Sequence, residues 1–216
     1  MFKNFYNQSI RRLVVVFGNL FNEIYIKKSR ENDEIEKIRV PLTYAPKEKF
    51  YRRIREASSI TDTTKAQITL PRLSFSLNEI SYDVSRKLNK VNNRVVETPS
   101  GNQLHVNQVV PYAFSFDLVS YTKNIDDNLQ IMEQILPYFS PELVVKIKFS
   151  EVYENVDVPF TLTSVSNTED YEGSLEERRL LICSYSFTVR SYIYGPVTDP
   201  NLIEDVNFSN INFLND

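Results

Sequence analysis

The chain has 216 residues and 25.3 kDa, with 42% hydrophobic and 25% charged residues, a net charge of −3 and a pI near 5.4. That is one large domain or two small ones, of ordinary soluble composition, burying roughly 70% of its unfolded surface without staples. One cysteine, one histidine and four glycines stand against 13 Tyr and 14 Phe, which excludes an intrachain disulfide and a Cys/His zinc cage.

The acidic balance leaves no global footprint of a nucleic-acid binder. No stretch approaches the ~20 apolar residues that span a bilayer. Residues 1–8 mix Phe, Lys and Asn without the apolar core of a signal peptide. These features predict a chain made and kept in a reducing, aqueous compartment.

In chain order, Ile10, Leu13, Val14, Phe17, Leu20 and Phe21 recur at helical spacing, with Ser9 ahead of them as a candidate N-cap. Arg11 and Arg12 fall off that face. Ile24 and Ile26 then alternate with Tyr25 and Lys27 as a strand. A charged bridge from Lys28 to Glu34 leads to a second strand, Ile35 to Leu42, and the two form a hairpin with a solvated tip. Pro46, at a first helical position, opens a short amphipathic helix through Phe50, Tyr51, Ile54 and Ala57. Ala66 to Tyr82 reads as extended, and Pro71 within it predicts an edge position or a bulge.

Residues 85–108 are polar and basic, with a turn at Pro99-Ser100-Gly101 between the apolar pairs Val95-Val96 and Leu104, Val106. This pattern predicts a long β-hairpin arm projecting from the body, which cannot bury both faces by itself. The clearest strand follows, with Tyr112, Phe114, Phe116 and Leu118 alternating against Ala113, Ser115, Asp117 and Val119. Asn124 is the predicted N-cap of a helix whose apolar positions are Ile125, Leu129, Met132, Ile135, Leu136 and Phe139. Asp126 and Asp127 occupy its first turn, and Pro137 ends or kinks it. Leu143 to Phe149 and Val158 to Val165 alternate as strands, followed by an acidic loop from Ser166 to Ser174. The last long strand runs from about Arg178 to Tyr194 with Tyr185, Phe187 and Val189 on one face, and Gly195-Pro196 stops it. The final stretch, 197–216, has no firm periodicity and reads as an extended C-terminal tail that orders against something else.

The elements show no strict strand–helix–strand alternation. They predict an α+β fold: a mostly antiparallel sheet with helices on one side, in a single domain over 1–196 followed by the tail at 197–216.

The residues that carry chemistry are few. Gly18, Gly101, Gly173 and Gly195 are isolated, so no phosphate cradle exists. His105 lies on the arm without an acid–base partner, and no G-x-S-x-G elbow is present. The carboxylate pairs Asp126-Asp127, Glu169-Asp170 and Glu176-Glu177 could in principle serve a hydrolase, but neighbours on a helix point apart and loop pairs are solvated. Asp126, Asp127 and Asp170 leave oxygen-ligand metal binding open, without an EF-hand pattern. Cys183, within Leu180, Leu181 and Ile182, reads as a small buried hydrophobe. We therefore expect no catalytic residue, no cofactor and no metal. The remaining profile is an assembly subunit rich in the residues interfaces over-use. Its candidate interface residues are Arg86, Lys87, Leu88, Lys90, Arg94, Val95, Leu104 and His105 on the arm. Arg52, Arg53 and Arg55 are candidates for a lumen or partner surface.

An ordered set of blocks resembles the tail sheath stabiliser (tail terminator) proteins of contractile-tailed bacteriophages. They begin with Phe5-Tyr6-Asn7 with Arg11-Arg12, Ile38-Arg39-Val40-Pro41-Leu42-Thr43-Tyr44-Ala45, and Leu70-Pro71-Arg72. Ser81-Tyr82-Asp83 with Arg86-Lys87-Leu88-Asn89, and Pro111-Tyr112, come next. The most specific run is Tyr121-Thr122-Lys123-Asn124 through Asp126-Asp127, Gln130-Ile131 and Glu133-Gln134-Ile135-Leu136-Pro137-Tyr138-Phe139. Tyr171-Glu172-Gly173, Arg178-Arg179 and Tyr194-Gly195-Pro196-Val197 close it. The resemblance implies a non-enzymatic virion protein at the tail–neck junction, assembled in the host cytoplasm, with no membrane partner. It implies a hexameric ring that caps the tail tube and stabilises the sheath. Implied partners are tube and tube-terminator proteins, the sheath protein, neck and head-completion proteins, and duplex DNA passing through the lumen. The alternative is another neck or baseplate subunit.

Overall fold

The computed structural model describes residues 5–29, 35–49, 51–52, 70–89, 94–97, 103–106, 109–149, 155–171, 179–195 and 197–198. The strands are β1 (Tyr25–Ser29), β2 (Ile35–Arg39), β3 (Leu42–Tyr44), β4 (Arg72–Tyr82), β5 (Arg94–Glu97), β6 (Gln103–Val106), β7 (Val110–Thr122), β8 (Glu142–Ile147), β9 (Val156–Tyr171), β10 (Arg179–Ile193) and β11 (Val197–Thr198). Helix α1 spans Ser9–Leu20 and α2 spans Ile125–Ile135. The fold is α+β and dominated by strands.

Six strands form the main sheet in the order β3-β4-β7-β10-β9-β8, antiparallel except for β3 beside β4. Alternation decides which face is covered. Phe114, Phe116 and Leu118 of β7 pair with Val189, Phe187 and Tyr185 of β10, and all six are buried on one face. Both long helices lie on that face: Phe17 of α1 stacks on Phe116 at 4.5 Å, and Ser120 donates to Asn128 of α2. The opposite face is covered at one end by the helical residues at 47–49 and 51–52. There the Tyr121 hydroxyl donates to the Lys47 carbonyl, and Tyr51 packs against Val119, Tyr121 and Ile182. This segment departs from the expectation of helices on one side.

Several expected boundaries are corrected by non-local bonds. Ser9 is the first residue inside α1, and Gln8 holds the cap position with φ at 56°, its carbonyl accepting from Arg12. That left-handed turn costs a non-glycine residue about 1–2 kcal/mol. It is pinned by Asn7, whose amide donates to the carbonyls of Tyr194 and Gly195 at 3.0 and 2.9 Å. The strand expected over Ile35 to Leu42 divides at Val40-Pro41. Pro41 has no N–H for the hairpin ladder, and its carbonyl instead accepts from Leu73, so the chain crosses into the main sheet as β3. Pro71 precedes β4, which lies between β3 and β7 and not at an edge; the irregularity in β4 falls between Leu77 and Glu79. The acidic stretch expected as a loop from Ser166 continues β9 to Tyr171, paired residue by residue with β10.

Asn124 holds the cap position of α2 as expected, without a side-chain bond. Asp127, Asn128, Ile131 and Ile135 are buried, while Ile125, Leu129 and Leu136 are exposed. In the hairpin β1–β2, Tyr25 stands opposite Arg39. β5 and β6 also pair, Val95 opposite His105, and β11 adds to β6 with Val197 opposite Val106. The turn at 99–101, the helix expected at Ile54 and Ala57, Arg53, Arg55, Lys90, Asp170's side chain and the tail beyond Thr198 lie outside the described residues or side chains.

Candidate assembly surfaces

Three side-chain staples bring distant sequence blocks together. Asn7 ties the N-terminal turn to the end of β10, as above. Arg86 is the second. Its Nε donates to Asp83 at 2.7 Å, its Nη2 reaches the carbonyls of Tyr112 and Ser191, and its guanidinium lies 5.0 Å from the Tyr192 ring. Hydrogen bonds from Ser85 first, and then from Arg86, hold the Asp83 carboxyl down at about 2. The third staple is a pair of glutamines one turn apart on α2. Gln134 accepts from the Tyr25 N–H at 3.2 Å and donates to the Tyr25 carbonyl at 2.6 Å. Gln130 does the same for Lys27 at 2.7 and 3.1 Å. Two side-chain amides thus stand in for a neighbouring strand along β1.

The outer surface carries two apolar areas on different elements. One runs along α2 and the turn after it: Ile125, Leu129, Leu136 and Tyr138, the last 69% exposed. The other surrounds the end of β4, with Ile80, Tyr82 and Val84, the last 72% exposed. Large side chains left in water in this way mark surfaces that bind other proteins.

The expected site residues divide between these settings. Arg86 is turned into its own chain, whereas Lys87 and Leu88 beyond it are exposed. Arg94, Val95, Leu104 and His105 lie on the paired strands β5 and β6. Arg52 is exposed in the helical segment. Asp127, considered as an oxygen ligand, is buried and faces Lys28 at 3.4 Å. Among the described residues no group of three His, Cys, Asp or Glu side chains gathers to hold a metal. Cys183 is buried, and burial pushes its thiol up, away from the reactive thiolate. No helix among the described residues is long and apolar enough to cross a membrane.

Sequence reading missed Gln130 and Gln134 as bonding residues, and Asn128 as part of the core. The available signal was polar: Asn128, Ile131 and Ile135 share one helical face, and two glutamines sit four residues apart.

The family model of the T4-like virus Myoviridae tail sheath stabiliser matches residues 4–216. "Tail completion protein gp15" of Enterobacteria phage T4 is 34% identical over 208 residues, covering 92% of this chain and 75% of the relative. With the family match spanning the N-terminal turn, the Arg86 node and α2, the chain belongs to the T4-like tail sheath stabiliser family, a structural tail protein of contractile phages.

Proposed function

We propose that the protein acts without catalysis, as the subunit of a hexameric ring that caps the tail tube, stabilises the contractile sheath and offers the docking surface for the head–neck complex. The observation that carries this reading is the family match over nearly the whole chain. The geometry supports it in one respect. A closed ring repeats a heterologous contact, so each subunit must offer two different surfaces. The α2 stripe and the β4 end are two such apolar surfaces on separate elements.

In this reading the hairpin over 85–108 projects as an arm to a neighbouring subunit, starting where Arg86 anchors it. Arg52, Arg53 and Arg55 face the lumen or a partner. The ring contacts tube and tube-terminator proteins, sheath, and neck or head-completion proteins at the tail–neck junction of the virion. The mild acidity of the chain suits a conduit that duplex DNA crosses without sticking, since tight phosphate binding would slow passage.

The test is the native mass of the purified full chain. A particle of six 25.3 kDa subunits is expected. A monomer under tail-assembly conditions would overturn the ring. Tails assembled without the protein should show unstable or misregulated length; failure to initiate tails would instead assign it to the baseplate.

A further inference from the structure

β8 is the outermost strand of the main sheet and, among the described residues, pairs only with β9. Alternation identifies its spare backbone groups. Leu73 donates its N–H to Pro41 and the Phe75 carbonyl accepts from Ala45, so Ser74 and Ser76 turn their backbone toward β7. Across the registers, Val119 and Asp117 then face β4, while Leu118 and Phe116 face β10. Thr188 of β10 and Thr161 of β9 face each other, which leaves Phe160 and Val158 bonded to Leu143 and Val145. The N–H and C=O groups of Glu142, Val144 and Lys146 therefore point off the sheet. Pro159 agrees: its missing N–H faces β10, just beyond the last pair, Phe160 with Val189. The Val144 side chain beside this free edge is 52% exposed.

The chain itself supplies an occupant of matching chemistry. Residues 199–216 carry Asp199, Glu204, Asp205 and Asp216 and no Lys or Arg. They also hold two short alternating triplets, Val206-Asn207-Phe208 and Ile211-Asn212-Phe213, with no proline after Pro200. The described chain approaches this end of β8: the Tyr194 ring is 5.3 Å from that of Phe149, two residues past the strand. Exposed Lys146 and Lys148 lie there, with Arg12 donating to the Lys148 carbonyl. From Thr198 to Glu204 an extended chain reaches about 20 Å.

We propose that residues 206–214 of the same chain add to the free edge of β8 as an antiparallel seventh strand, with Glu204 and Asp205 beside Lys146 and Lys148. Main-chain bonds hold the added strand, and alternate side chains cover Val144. The arrangement shields an edge that would otherwise template pairing with other chains. A partner strand reaches β8 only by displacing the tail.

Amide hydrogen exchange on the full-length protein tests this. In the wild type the amides of Val144 and Lys146 should be protected, and in a full-length Phe208→Pro, Ile211→Pro variant they should exchange at least about tenfold faster, with Val145 unchanged. Val144→Pro removes an edge N–H and none that faces β9, so it should leave Val145 protected while exchange across 206–214 rises about tenfold. Equal exchange at Val144 and Lys146 in the wild type and the tail variant would overturn the proposal. So would protection that survives the tail prolines and grows with protein concentration, because it would assign the edge to a second copy.

Discussion

Helices α1 and α2 lie on the same face of one sheet, yet different chemistry holds them there. Under α1 the contact is aromatic. Phe17 is fully buried, stacked on Phe116 and edge-on to Phe187 at 5.3 Å, with Phe21, Phe75 and Phe160 around it. The fit is tight enough that a Cβ on Gly18 would come within 2.8 Å of the Phe75 ring. Under α2 the contact is mixed. Ile131 and Ile135 are buried beside Asn128, which accepts from Ser120 at 3.1 Å and donates to Asn167 at 3.4 Å. The glutamines and Asp127 then fasten α2 to the β1–β2 hairpin. One helix packs on the sheet through aromatic rings; the other adds buried polar residues to Ile131 and Ile135 and leaves Ile125 and Leu129 outside. That contrast is what an assembly subunit requires of its sequence, since it must bury surface twice.

The largest break in the comparison is Phe17→Ala. Losing that ring should cost about 3–5 kcal/mol, read as a lower urea midpoint with unchanged slope. Asn128→Ala should cost less, about 1–3 kcal/mol, because it strands the buried Ser120 hydroxyl while the apolar residues of α2 remain. If the two losses came out equal, the two helices would not differ in the way described.

The pH effect is smaller. Asp83 has an ordinary value of 3.8 and is held at about 2 when folded. A depressed carboxyl contributes stability that is present above 3.8 and is lost as pH falls toward about 2. An NMR titration of the Asp83 carboxyl should give a midpoint near 2, moved back up by Arg86→Gln. An ordinary midpoint in the wild type would remove the Arg86 node from the account.

The contrast between the helices also explains what the sequence revealed. The α1 face was legible because Leu13, Phe17 and Phe21 are both apolar and buried. Periodicity marks apolar positions without saying what covers them, so the pattern of α2 could not separate exposed Ile125, Leu129 and Leu136 from buried Ile135. The long strands β7 and β10 were legible from alternation. The far half of β9 was not, because Ser166, Asn167, Thr168 and Glu169 are exposed and the strand exists through its pairing with β10. The break at Val40-Pro41 depended on Leu73, distant in sequence. The arm's candidate residues were chosen by charge, and charge alone could not show that Arg86 would be consumed by Asp83, Tyr112 and Ser191 within the chain. Family blocks identified the protein where chemistry could not, since none of them forms a catalytic motif.

The most direct test of the outward face of α2 is sedimentation velocity of Leu129→Asp beside the wild type, with unfolding midpoints measured on both. Leu129 is half-exposed, so the substitution should shift stability by no more than about 0.5 kcal/mol. The account predicts a wild-type ring and a folded variant that sediments as a monomer. A variant ring as intact as the wild type's would contradict it.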